Sequence, residues 1–155
     1  MLRWAQSSNG PTNDSERYYL WRNGADLLAD LRATEALDLL VANLMVTDGQ
    51  SISLSHFPAV DAVTRIGEAA VPKLQRVISE DLNPYTRKLA VYCIASIGGA
   101  RTRTVLTKAL AGVTDGCVKD HIRISLKMFD NKVRPNHIPD NNNGSWISSF
   151  YCVSR

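Results

Sequence analysis

Cysteine is scarce in this 155-residue chain. Cys93, Cys117 and Cys152 are too few, and odd in number, to staple a disulfide framework, so the fold must rest on packing. A reducing cytoplasm is the compartment that such usage fits. Long apolar runs are missing as well. None approaches the roughly 18–20 residues that cross a bilayer, which excludes a spanning helix and, with it, a membrane partner. The opening stretch, Met1 to Gly10, has no apolar h-region, so no secretory signal is expected. No segment alternates apolar and polar residues for long enough to demand a sheet. Catalytic signatures are absent too. There is no Gly-x-Ser-x-Gly, no phosphate-cradling glycine loop and no His-Glu-x-x-His, and the adjacent carboxylates Glu80 and Asp81 suit a loop with helix-capping duty. The expectation is a protein that is not an enzyme and takes no cofactor.

What is present is ordinary globular material. Apolar residues make up 45% and charged residues 21%, enough for one domain with a core of its own. The net charge of +3 is unevenly placed. Residues 14–100 hold 8 basic and 11 acidic side chains, residues 101–155 hold 9 and 4, and Arg3 stands apart. A mildly basic C-terminal third fits an acidic partner but is too weak to name nucleic acid.

Three segments differ in texture. Residues 1–13 are rich in Ser, Asn, Gly and Pro and read as a flexible N-terminus. From Asp14 to about Phe129 apolar residues recur three and four apart, with Pro and Gly at regular breaks, which is helical text. Residues 130–155 form an irregular polar tail, with Pro135, Pro139 and the run Asn141-Asn142-Asn143-Gly144.

The helical segment repeats itself. Shifted by 31 residues, Ala59, Val60, Ala62, Val63, Ile66 and Gly67 fall on Ala90, Val91, Cys93, Ile94, Ile97 and Gly98. With one inserted residue, Leu74 and Ile78 fall on Leu106 and Leu110. A further 32 residues carry Ala90, Ile94 and Ile97 to Ile122, Leu126 and Phe129. Each unit reads as two helices. The first is lined with small residues and ends at Gly67 or Gly98, where a positive φ costs little. The second carries Pro72 in its first turn, where a missing N–H is harmless. Asp81-Leu82-Asn83-Pro84 then restarts the cycle, with Asn83 as N-cap.

The stretch Ile66-Gly67-Glu68-Ala69-Ala70-Val71-Pro72-Lys73-Leu74, followed by Asp81-Leu82-Asn83-Pro84-Tyr85-Thr86-Arg87-Lys88-Leu89-Ala90, resembles the HEAT-repeat family, in particular the short bacterial, bilin-lyase-like type. The resemblance covers about residues 15–129. Thr86 stands where that pattern has valine, and in the third unit Lys119 replaces Arg87, which weakens an Asp–Arg ladder between repeats. The resemblance implies an all-α fold: a short right-handed α-solenoid of three helix pairs plus a terminal helix over 117–129, in which each pair buries its face against its neighbours. It also implies a non-enzymatic scaffold that binds a protein partner on its concave surface. The family's bilin lyases make a subunit of a protein-modifying complex the alternative. Its alkylated-base glycosylases make nucleic-acid binding a third, weakened because Trp4, Trp21 and Trp146 fall at the ends rather than along the concave wall. The family's di-iron branch uses His-Glu dipeptides, and His56, His121 and His137 sit in none.

The first unit is less regular. Its first helix should run from Ser15 to Asp30, with Gly24 marking a kink or break, and Tyr18, Tyr19, Leu20 and Trp21 closing the N-terminal end. Thr34 should cap the second helix, whose stripe is Leu37, Leu40 and Leu44. The loop from Thr47 to His56 exceeds the usual two to six residues and is a candidate functional loop. The apolar tail segment Trp146–Val153 could fold back over the last helix, stay disordered or bind elsewhere.

Candidate binding residues are basic. In a HEAT array the second helices line the concave wall, which places Lys73 and Arg76 of one unit beside Arg103 and Lys108 of the next. Arg76 and Lys108 match at the repeat offset, and such rows suit an extended acidic partner. Lys119, Arg123 and Lys127, spaced four apart, give the last helix a basic face, with Arg101 and Arg103 nearby. Cys117 and His121, also four apart, could hold a metal from one face, but two ligands leave a tetrahedral site half built, so no metal is expected and His121 reads as an exposed histidine.

Overall fold

Small residues at every third or fourth position let helices approach closely, and that pattern dictates the architecture. The computed structural model describes residues 14–48 and 56–130. Among the described residues there are seven α-helices and no strand: α1 Asp14–Asp30, α2 Leu37–Ala42, α3 Pro58–Ile66, α4 Val71–Glu80, α5 Pro84–Ile97, α6 Ala100–Gly112 and α7 Gly116–Asp130. None of these helices is long and apolar enough to cross a membrane. The expectations for residues 1–13, for 49–55 of the long loop and for the tail after Asp130 lie outside the described residues. The chain divides into two compact units, Met1–Ile66 and Gly67–Arg155.

In the first unit α1 and α2 both pack on α3. α1 buries Tyr18, Ala25 and Ala29, which recur at seven and four and so share one side of the helix. α3 answers with Ala59, Ala62, Val63 and Ile66. Gly24 does not break α1, which runs unbroken for 17 residues. A helical glycine costs about 1 kcal/mol, less than the packing of the stripe around it returns. Of the four residues expected to close the N-terminal end, Tyr18 is buried and Trp21 half-buried, whereas Tyr19 and Leu20 are exposed. Leu37, Leu40 and Leu44 are buried as the stripe requires. Thr34 does not cap: Ala33 holds the N-cap position without a side-chain bond, and Thr34 opens a 3₁₀ turn, Thr34–Ala36, ahead of α2. The reason lies one step earlier. α1 ends with Arg32 at φ 48°, Arg32 N donating to Ala29 O and Ala33 N to Leu28 O, and this closing turn fixes where the next helix begins.

In the second unit α5 packs against α4, α6 and α7, while α4 packs on α6 and α6 on α7. Equivalent helices therefore lie together, α4 beside α6 and α5 beside α7. α5 is the central element, with every residue from Lys88 to Ala95 buried. The punctuation read from the sequence is in place. Gly67 and Gly98, 31 residues apart, have φ of 88° and 74°, values that an L side chain adopts only with strain. Pro72 sits in the first turn of α4. Asn83 caps α5, its side chain accepting from Tyr85 N at 2.9 Å, with Pro84 next. Asp81 Oδ1 accepts from Asn83 N at 2.7 Å, an Asx turn that leads into the cap; the capping itself falls to Asn83 rather than to the carboxylates. Arg87 Nε donates to the Ile78 carbonyl at 2.7 Å, satisfying an orphan acceptor near the end of α4. Asp115 does the complementary service for α7, its Oδ1 accepting from Val118 N at 2.9 Å.

Candidate functional site

The basic candidates all belong to the second unit. Arg76 on α4 and Lys108 on α6 are exposed, and Lys73 is half-buried. α4 packs on α6, so these side chains stand on neighbouring helices, with Arg76 and Lys108 at matching repeat positions. Arg76 Nε is 3.8 Å from Glu80 Oε1, a loose exposed i,i+4 pair of little energetic weight. Arg103 is committed elsewhere: its guanidinium lies 2.7 Å from Asp130 Oδ1 and ties the start of α6 to the end of α7. On α7, Arg123 and Lys127 are exposed and Lys119 is half-buried. Arg123 donates to Asp120 Oδ1 at 2.6 Å. The α4 and α6 candidates thus lie on two helices that pack together, the α7 candidates lie along one helix, and Arg103 is engaged in an ion pair with Asp130.

Beneath this surface lies a polar cluster that the sequence reading missed. Lys88 on α5 is 1% exposed and His121 on α7 is fully buried. Lys88 Nζ lies 5.3 Å from the centre of the Tyr85 ring, within cation–π reach. Burial lowers the pKa of the Lys88 ammonium, and the Asp115 carboxylate opposes that shift. His121 is pushed down to about 3, by burial first and by the nearby Lys88 charge second. The imidazole is therefore neutral at any physiological pH. Ser125, also buried, donates to the His121 carbonyl at 2.9 Å. A signal for both residues was present in the repeat. At the 31-residue offset Lys88 occupies the register of the buried Phe57, and at the 32-residue offset His121 occupies that of the buried Leu89. Residue type pointed outward while register pointed inward.

His121 is a core residue rather than the exposed one expected, and Cys117 is disulfide-bonded. Among the described residues no group of three or more His, Cys, Asp or Glu could hold a metal ion. Cys93 is buried on the small-residue stripe as expected.

The first unit carries two polar clusters of its own. Arg65 on α3 reaches Asp26 and Asp30 on α1 and Asp61 one turn back, all of them well exposed. This is a pin between α1 and α3, and the bond to Asp61 is the main reason the guanidinium pKa is raised. At the edges of the long loop, His56 Nδ1 is 2.5 Å from Asp48 Oδ2. Tyr18 donates its hydroxyl to the His56 carbonyl at 3.4 Å, and its pKa is raised by burial and then by Asp48.

No protein-family model matches this chain, and no curated protein and no solved structure matches it.

Proposed function

We propose that this chain is a non-enzymatic HEAT-type repeat scaffold that binds an acidic protein partner across the exposed faces of α4 and α6. The observation that carries the reading is the packing of α4 on α6 with Arg76 and Lys108 exposed at equivalent repeat positions. The recurrence of a left-handed glycine at Gly67 and Gly98, each closing a small-residue helix, supports the repeat class. Rows of like charge on adjacent second helices suit an extended or helical partner that offers carboxylates at helical spacing. Arg76 gives up only a weak pair with Glu80 on binding, and Lys108 makes no ion pair among the described residues, so little is lost when a partner's carboxylates arrive. The α7 residues Lys119, Arg123 and Lys127 extend the basic character of the unit.

Affinity capture with the intact chain, read by mass spectrometry beside an Arg76→Glu/Lys108→Glu double variant, tests the proposal. Recovery of a partner by the wild type should fall about tenfold or more in the variant, since two attractive charges become repulsive ones. Equal recovery by both proteins would overturn the assignment of this face.

A further inference from the structure

α1 is apolar on two sides, and only one of them is used. Tyr18, Ala25 and Ala29 face α3, while Leu20, Leu27 and Leu31 lie on the opposite side and are 43%, 46% and 69% exposed. Their spacing of seven and four residues forms a single stripe, and Gly24 adds no side chain between the first two. A helix with apolar stripes on both sides is built to be covered on both.

The charge of the two units says what kind of surface covers it. Met1–Ile66 holds 5 basic and 8 acidic side chains, a net of −3, and Gly67–Arg155 holds 13 and 7, a net of +6. Pairing the α1 stripes of two copies face to face would set −3 against −3. Docking the stripe on the second unit of another copy sets −3 against +6, and long-range electrostatics favours that encounter. α7 offers the matching surface. Arg123 and Lys127 are exposed there, with Ile124 and Met128 half-buried beside them as apolar shoulders for the leucines. Asp26 and Asp30, next to the stripe on α1, are paired with Arg65 but remain more than half exposed and add to the negative character of that side.

We propose that this protein self-associates head to tail, the Leu20–Leu27–Leu31 face of one copy seated on the basic face of α7 in the next. Such a contact uses two different surfaces, so it adds copies in series, as an open chain or as a ring. It uses neither Arg76 nor Lys108 and is independent of the partner face proposed above.

Sedimentation velocity of the full chain over about two decades of concentration, at low salt and near 0.5 M salt, provides the test. The wild type should grow beyond dimers as concentration rises and should shrink towards monomers in high salt. Leu27→Ser/Leu31→Ser and Arg123→Glu/Lys127→Glu should each be monomeric, with unchanged helical circular dichroism. Mixed in equal amounts they regain one intact interface, and dimers alone should appear. A wild type that stays monomeric at all concentrations overturns the proposal without any variant being needed. Self-association of the α7 variant at the wild-type level overturns it as well, because that result assigns the stripe to a symmetric contact or to another occupant.

Discussion

Acidification should unlock the second unit through His121. The buried imidazole titrates at about 3 in the folded chain, against about 6.5 when exposed in the unfolded one. Between those values the unfolded state binds one more proton than the folded state, so stability rises with pH across the window and is lost as pH falls through it. The difference of about 3.5 units, at about 1.36 kcal/mol each, amounts to between 4 and 5 kcal/mol over the whole window, of which about 3 kcal/mol is gone by pH 4. That loss is a large share of the stability of a unit this size.

The groups facing His121 fix how the effect should respond to mutation. From α5 the Lys88 charge depresses the imidazole further, and Asp115, ahead of α7, acts on Lys88 in turn. Urea titrations followed at the amide signals of α5 and α7, at pH 7 and at pH 4, isolate the second unit from the first. The wild type should lose about 3 kcal/mol more between the two pH values than His121→Gln, which keeps a polar side chain but cannot titrate there. Lys88→Met removes the neighbouring charge, so His121 should titrate higher and the acid loss should shrink. Equal acid losses in wild type and His121→Gln would refute the reasoning and place the imidazole in contact with water.

Other expectations follow from the caps and the core. Asn83→Ala removes the bond to Tyr85 N and should cost about 1 kcal/mol by denaturant unfolding, with Asn83→Asp close to neutral. Arg32→Gly should stabilise the first unit by roughly 0.5–1 kcal/mol, because a β-carbon is removed from a residue at φ 48°; a thermal melt showing a loss instead would mean that the Arg32 side chain holds something in place. Leu74→Ala, at a fully buried position on α4, should cost between about 2 and 5 kcal/mol and lower the midpoint of unfolding without changing the helical signal of the folded state. Arg65→Ala should cost under about 1 kcal/mol despite its three aspartate partners, and less still in high salt, because the whole cluster is exposed to solvent.

Much of this molecule is local and therefore legible in the chain. Helical periodicity, the glycines at 67 and 98, Pro72, the Asn83–Pro84 start and the Leu37–Leu40–Leu44 stripe are decided by backbone sterics and by apolar spacing within a few residues. The exposure of Arg76, Lys108, Arg123 and Lys127 was equally readable, since surface side chains follow from helix phase. Tertiary packing alone decided the rest. It drew Lys88 and His121 into the core, because their registers lie where three helices meet α5 and the aromatic ring and carboxylate nearby make such burial tolerable. It turned Arg103 towards Asp130, a choice that depends on a residue far away in sequence. It also left Leu20, Leu27 and Leu31 in water. Periodicity shows that a face is apolar, and only the placement of the neighbouring helices determines whether anything covers it.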